Sequence, residues 1–436
     1  MLVRLLGTGS ADGWPNPWCT CASCMALRVT GESRGQTAAL VDETLLLDCG
    51  PDVPRTAARL GVRLDRVRSL VFTHAHPDHC GPAALLWRQW VPGLGPLEVA
   101  GPPTALDLCR DWVGPADQVS WLPLAPGADV LLASGHRLRA LPAVHEATPT
   151  LLYDVTGADG TALLYASDTA PPLPTPLPSV RYDVVLLECT GQLAGDHHDL
   201  DSWLLSIAGL RRVGAVDAAT TVVPVHLGHR NPPTPELRRR VAPAGGVVLG
   251  DGDVVPLAGL VGRAEPPTRG PSRVLITGGA RSGKSLEAER RLLAEPAVTY
   301  VATSLPRPGD EEWALRLAAH RARRPAHWMT VETLDLGPLL ADPAATLLVD
   351  CATLWLGAHL ELPAPALAAA VDTLVVGWRD ALATVVLVTN EVGSGVVPPT
   401  EAGRRFADEL GRLNARLAEH SDEVWQVVAG TPVRLR

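Results

Sequence analysis

Lysine is almost missing. The 436 residues hold 37 arginines against one lysine, Lys284, and phenylalanine occurs only twice. An arginine bias this deep is compositional and carries no function by itself, but a position that stays lysine under it points to a need for a compact ammonium. No stretch approaches about 20 uninterrupted apolar residues, which argues against a membrane-spanning helix. The opening MLVRLLGTGSADGW lacks a long apolar segment leading to a small-residue cleavage site, so the expected compartment is the cytoplasm. Basic charge is not in excess either: 38 Lys plus Arg stand against 47 Asp plus Glu, a net charge of -9. Non-specific grip on a phosphate backbone is disfavoured, and no nucleic-acid partner is expected. Eight cysteines do not make a disulfide scaffold in a chain of this length.

What is present suffices for a large core. A hydrophobic content of 46% is that of a globular protein. At ~150 residues per domain the length predicts two or three domains. Residues 1–262 read as short apolar strands parted by Gly/Pro turns, with LDSWLLSIAGLRRVGA as the clearest helix. Residues 263–272 lose every apolar period and are expected to be a linker. From 273 to 436 buried-strand runs (VLITG, VTYVAT, TLLVDC, TVVLVTN) alternate with helical segments, which predicts a parallel sheet covered by helices.

The sharpest signal in the first block is Thr73-His74-Ala75-His76-Pro77-Asp78-His79, directly after the apolar run SLVF. Placing three imidazoles and a carboxylate together at a strand end is costly unless something binds them, and a divalent zinc, manganese or iron ion suits that donor set. The run resembles the HxHxDH signature of the metallo-β-lactamase superfamily, and the family's other motifs follow in order: Asp48-Cys49-Gly50, then His145, Asp168 and His226, each after an apolar strand. The resemblance implies an αββα sandwich with two metal ions. His74, His76 and His145 would hold one, Asp78, His79 and His226 the other, and Asp168 would bridge them. Hydrolysis would then need no side-chain nucleophile, and His197 or His198 is the candidate acid for the leaving group, with His198 preferred.

Cys19, Cys21 and Cys24 crowd three thiols into six residues, as a tetrahedral structural zinc site requires; the fourth ligand must come from elsewhere, and His229 is the best candidate. Together these features are similar to the phosphonate-pathway cyclic phosphodiesterases of the superfamily, with the relatives that act in pyrroloquinoline quinone synthesis as the alternative. The resemblance implies a phosphodiester substrate. Cys49, Cys80, Cys109, Cys189 and Cys351 read as packed thiols.

In the second block, Gly278-Gly279-Ala280-Arg281-Ser282-Gly283-Lys284-Ser285 follows a strand and opens a helix, the context a P-loop needs. Backbone N–H groups of such a loop turn onto phosphate oxygens, Lys284 pairs with the terminal phosphates and Ser285 holds Mg²⁺. Asp350, ending TLLVD, is a second carboxylate for that ion. The loop, the run Tyr300–Thr303, His320-Arg321-Ala322-Arg323-Arg324, Trp328, Thr389–Gly393 and the final helix and strand resemble the bifunctional adenosylcobinamide kinase / adenosylcobinamide-phosphate guanylyltransferases of cobalamin assembly. The resemblance implies that adenosylcobinamide is phosphorylated with ATP or GTP, and that His320 then accepts GMP from GTP. Thr303, Arg321, Arg323, Arg324 and Glu332 would contact nucleotide, and self-association through this block is expected. Two readings compete: a plain P-loop kinase or NTPase without guanylyl transfer, and a first block that serves only as a scaffold.

Overall fold

The computed structural model describes residues 1–114, 118–173, 180–191, 196–257, 272–304, 318, 321–393, 395 and 397–436. It divides into two compact units, residues 1–266 and 267–436. The expected linker, 263–272, lies outside the described residues except for Ser272. No described helix is long and apolar enough to cross a membrane.

Two six-stranded sheets build the first unit. One runs in the spatial order β1 (Val3–Gly7), β2 (Ala38–Val41), β3 (Leu45–Leu47), β4 (Ser69–Val71), β5 (Leu97–Gly101), β6 (Val119–Pro123). The other runs β12 (Thr221–Val225), β11 (Val184–Glu188), β10 (Ala162–Ala166), β9 (Leu151–Thr156), β8 (Arg137–Pro142), β7 (Asp129–Leu131). Each sheet is antiparallel at one end and parallel at the other; β3 to β6 and β10 to β12 are parallel. Strands with apolar residues on both faces must be covered twice. On one side Leu5, Val41, Leu47 and Val71 of the first sheet share a buried cluster with Tyr153, Tyr165, Leu186 and Val223 of the second. On the outer face of the first sheet, Leu40, Leu46 and Leu70 pack with Val53, Ala57, Leu85 and Leu106 from three short helices. Helix Leu200–Arg212 buries Trp203, whose indole N–H donates to Leu187 O at 3.2 Å. The layers are helix, sheet, sheet, helix.

The second unit is one seven-stranded sheet. Its order is β15 (Met329–Glu332), β14 (Thr299–Ala302), β16 (Thr346–Asp350), β17 (Thr384–Val388), β13 (Arg273–Gly278), β18 (Glu423–Val428), β19 (Thr431–Arg434). All pairings are parallel except that of β18 with β19. Leu275, Val301, Val349 and Leu387 face a cluster that takes in helices Ala352–His359, Ala364–Arg379 and Glu401–Glu419. Alternate residues, Ile276, Tyr300, Leu348 and Val386, are buried on the opposite face. The carboxyl ends of the parallel strands therefore meet along one edge, where open α/β sheets bind their ligands.

Candidate functional site

Strand ends gather the histidines and aspartates of the first unit. β4 stops at Val71 and the chain turns at once into Thr73–His79; Asp48 follows β3, Asp168 follows β10 and His226 follows β12. Asp48, Asp168 and His226 sit at φ 58°, 53° and 54°, a left-handed backbone that costs a non-glycine residue about 1–3 kcal/mol and persists where its surroundings impose it.

His74, His76, His145 and Asp168 each offer an atom within 4.8 Å of all the others, and so do Asp78, His79, Asp168 and His226. Asp168 Oδ2 lies 3.5 Å from His74 Nε2, 3.3 Å from His79 Nε2 and 3.6 Å from His145 Nε2. His226 Nε2 is 3.2 Å from Asp78 Oδ2. Burial alone would raise the Asp168 carboxyl, but His226 and His79 hold it well below the usual carboxylate range. Burial likewise pushes the His74 imidazole down, toward its neutral, ligating form.

These residues fit divalent cations. His76 Nδ1 faces His145 Nε2 at 3.1 Å, and His79 Nε2 faces His226 Nε2 at 3.3 Å. Ring nitrogens brought tip to tip leave lone pairs converging on one point. His74 Nε2 and Asp168 Oδ1 are buried with no hydrogen-bond partner among the described residues. Outside the ligating atoms, partners fix each ring. Asp48 accepts from Thr73 N–H and Tyr165 OH and meets His79 Nδ1 at 2.9 Å, while Thr190 Oγ1 lies 3.1 Å from His226 Nδ1.

Glu188, at the end of β11, escaped the sequence reading. Its fully buried carboxylate accepts from Thr169 N–H at 2.8 Å and Thr190 Oγ1 at 2.8 Å, and lies 3.1 Å from His197 Nδ1. Glu188 and His197 form a further group with Asp168 and His226. Of the two histidines weighed for the leaving-group proton, His197 is the one that joins the group of Asp168, Glu188 and His226. His198 is buried, and both its nitrogens are spent, on Thr169 O and Ser206 Oγ, each at 2.9 Å. His197 instead stacks on the ring of His226 and meets that of His145 edge-on. Burial pushes its imidazole down, but Glu188 outweighs this and takes it up to about 9.

Cys19, Cys21, Cys24 and His229 also converge within 4.8 Å. His229 Nδ1 is 3.1 Å from Cys19 Sγ and 3.9 Å from Cys21 Sγ. Cys21 caps helix Ala22–Thr30, its sulfur accepting from Cys24 N–H, which lowers its thiol to about 6. A preformed thiolate suits zinc. The other five cysteines are buried.

In the second unit the expected glycine loop lies between a strand and a helix. β13 ends at Gly278, and helix Lys284–Leu292 starts directly after Gly283, whose φ of 99° favours glycine. A side chain on Gly278 would meet Ser282 Oγ and Val427 O, both at 2.6 Å. Lys284 Nζ donates to Gly279 O at 3.2 Å, and burial lowers its ammonium. Asp350 ends β16 beside Ala302 and accepts from Tyr300 OH at 2.7 Å. Thr303 is buried, its hydroxyl donating to Cys351 O at 2.7 Å. The expected phosphate clamp is otherwise engaged: Arg321 pairs with Glu332 at 3.0 Å, Arg323 with Glu289 at 3.3 Å, and Arg324 lies over the Tyr300 ring. His320 lies outside the described residues.

Residues 274–435 match the family described as cobinamide kinase / cobinamide phosphate guanyltransferase. A Pseudomonas aeruginosa protein named bifunctional adenosylcobalamin biosynthesis protein CobP is 46% identical over 178 residues, covering 38% of this chain and 97% of its own. The chain belongs to the cobinamide kinase / cobinamide phosphate guanyltransferase family. That membership rests in its second unit, where the matched residues 274–435 lie. Residues 34–226 match the model of the metallo-beta-lactamase superfamily. A Mycobacterium marinum protein named ribonuclease Z is 32% identical over 206 residues, 44% of this chain and 62% of its own. A solved structure titled as a new diphosphatase from the PhnP family aligns with TM-score 0.48 and 21% identity, covering 59% of this chain and 97% of its own.

Proposed function

We propose that the chain joins a dinuclear-metal phosphodiesterase to a kinase that also transfers GMP. The observation that carries the first part is Asp168, whose carboxylate belongs at once to the His74–His76–His145 group and to the Asp78–His79–His226 group. A carboxylate shared by two sets of imidazoles suits a bridge between two zinc, manganese or iron ions. Such a pair, when bound, would supply a water nucleophile at neutral pH and would neutralise charge on the attacked phosphate. The chain's own residues do the rest. Asp48 and Thr190 orient the rings, and His197, charged by Glu188, gives the leaving oxygen its proton. Cys19, Cys21, Cys24 and His229 would hold a further, structural zinc.

In the second unit Lys284, the loop amides and Ser285 position the triphosphate and its Mg²⁺, with Asp350 beside them. The kinase step phosphorylates the adenosylcobinamide hydroxyl. His320 then attacks the α-phosphorus of GTP: an N–P bond forms, pyrophosphate leaves, and the substrate's phosphate oxygen displaces the imidazole to give the GDP ester.

The substrate of the first unit is a small phosphodiester. The ribonuclease Z relatives suggest an RNA chain as the second reading, which the net charge of -9 disfavours. Turnover by the zinc-loaded full chain of bis-p-nitrophenyl phosphate, of p-nitrophenyl phosphate and of a precursor tRNA tests this. Fast turnover of the diester alone is expected; RNA cleavage with a slow small diester would overturn it.

A further inference from the structure

We infer that the thiolate staple is a positioning device for one half of the metal centre, so that an ion at Cys19, Cys21, Cys24 and His229 tightens the hold of Asp78, His79 and His226 on theirs and leaves the His74, His76 and His145 half alone. The inference rests on the proposed reading that both sites are metal sites.

The asymmetry comes from the chain path. His226 and His229 stand on one turn, so a ligand of each site is separated by two residues, Leu227 and Gly228. That turn has no slack. A side chain on Gly228 would meet Thr190 O at 2.7 Å and Ser10 Oγ at 3.2 Å. Thr190 is also the residue whose hydroxyl lies 3.1 Å from His226 Nδ1. His226 itself holds a φ of 54°, a left-handed conformation uncommon outside glycine.

A second connection runs through the segment that leads into the cysteines. Leu227 N–H donates to Thr8 O at 2.9 Å and Ser10 N–H to Leu227 O at 3.1 Å. The Thr37 hydroxyl ties the two together, donating to Gly9 O at 2.8 Å and accepting from His226 N–H at 3.0 Å. Beyond Ser10, Asp12 accepts from the Ser10 hydroxyl at 2.8 Å and lies 3.7 Å from His229 Nε2, and Cys19 closes the circuit at His229 Nδ1. Four ligands clamped to one ion fix both ends of this ring, and His226 lies inside it. The other half has different supports: His76 meets Thr148 Oγ1 at 3.1 Å and His145 Nδ1 meets Asp196 O at 3.3 Å, neither on the stapled segments.

Outer-sphere supports of this kind change metal affinity about 10–100-fold. Coupling of binding free energies is reciprocal, so the centre must tighten the staple by the same factor. The test uses the full-length chain with Zn²⁺ for affinity, by competition with a chromogenic chelator, and Co²⁺ for occupancy. In His229→Ala, the staple loses one of its four ligands and the thiolate-to-Co²⁺ charge-transfer band should weaken and shift. One ion of the histidine–aspartate pair should weaken about 10–100-fold, converting the spin-coupled Co²⁺ pair to an isolated ion, while the other keeps its affinity. In an Asp78→Ala background, where the coupled position is already lost, adding His229→Ala should change nothing further. An organomercurial titrated into the wild-type chain strips the thiolates without a mutation and should release the same ion. Unchanged affinity at both positions in a folded variant, or equal weakening of both, overturns the inference. A wild-type chain that binds no ion at the histidines and aspartates overturns the underlying reading instead.

Discussion

Asp48 Oδ2 lies 2.9 Å from His79 Nδ1, and neither side chain has solvent exposure. The same carboxylate takes the Thr73 N–H at 2.8 Å and the Tyr165 hydroxyl at 3.0 Å, so it decides which His79 nitrogen points at the centre. Asp48→Ala should weaken metal binding about 10–100-fold. Zinc competition titrations measure this; an affinity within threefold of wild type would show that the ring is held by other means.

Glu188 and His197 predict a leaving-group dependence. Protonation matters for a poor leaving group and little for a good one, and general acids contribute about 10²–10⁴-fold. His197→Ala should slow hydrolysis of an alkyl phosphodiester in that range and spare a nitrophenyl diester. His198→Ala, by contrast, should lower stability, because it strips a buried site bonded to Thr169 and Ser206. Equal losses on both diesters in His197→Ala would remove it from the acid role.

Lys284 should not tolerate arginine. Its ammonium reaches back to Gly279 O at 3.2 Å inside the loop, a geometry a planar guanidinium does not reproduce. Lys284→Arg and Lys284→Ala are both expected to lose at least ~100-fold in cobinamide phosphorylation. Near-normal turnover in Lys284→Arg would mean that charge alone suffices.

Asp154 gives a pH signature. It is buried on β9, its Oδ1 has no hydrogen-bond partner among the described residues, and burial raises its carboxyl while Arg139 partly offsets the shift. A folded-state pKa above the unfolded one means that the protonated form favours folding. Stability on this account is intact below the unfolded value and falls as pH rises through the folded one. Asp154→Asn should therefore stabilise by about 1 kcal/mol at pH 7 and by nothing near pH 3. Thermal melts at the two pH values decide it, and an equal gain at both would refute the ionisation argument.

The sequence exposes what is chemically dense and hides what is assembled across distance. His74, His76, Asp78 and His79 stand together in the chain, and no packing argument explains so many polar groups after SLVF; Cys19, Cys21 and Cys24 are legible for the same reason. His145, Asp168 and His226 are single residues after ordinary strands and come only with the family resemblance. Glu188 was missed because a lone carboxylate after DVVLL reads as a strand end meeting water, whereas it is wholly buried. Choosing between His197 and His198 needs the direction of a side chain in an irregular segment, which no periodicity supplies. The pairing of the arginines after His320 with Glu289, Tyr300 and Glu332 is not legible in the sequence, because those partners lie on other elements. Alternation of strands and helices announces the parallel sheet of the second unit but not its order, which depends on where each crossover lands.

The most direct test of the account is Asp168, the carboxylate common to both halves of the centre. Metal content and bis-p-nitrophenyl phosphate turnover should be measured together on wild-type chain and on Asp168→Ala. The wild type is expected to bind a metal pair there and turn the diester over; Asp168→Ala should lose the pair and at least ~100-fold in kcat while keeping its fold by circular dichroism. A folded Asp168→Ala with full metal content and wild-type turnover would contradict the account.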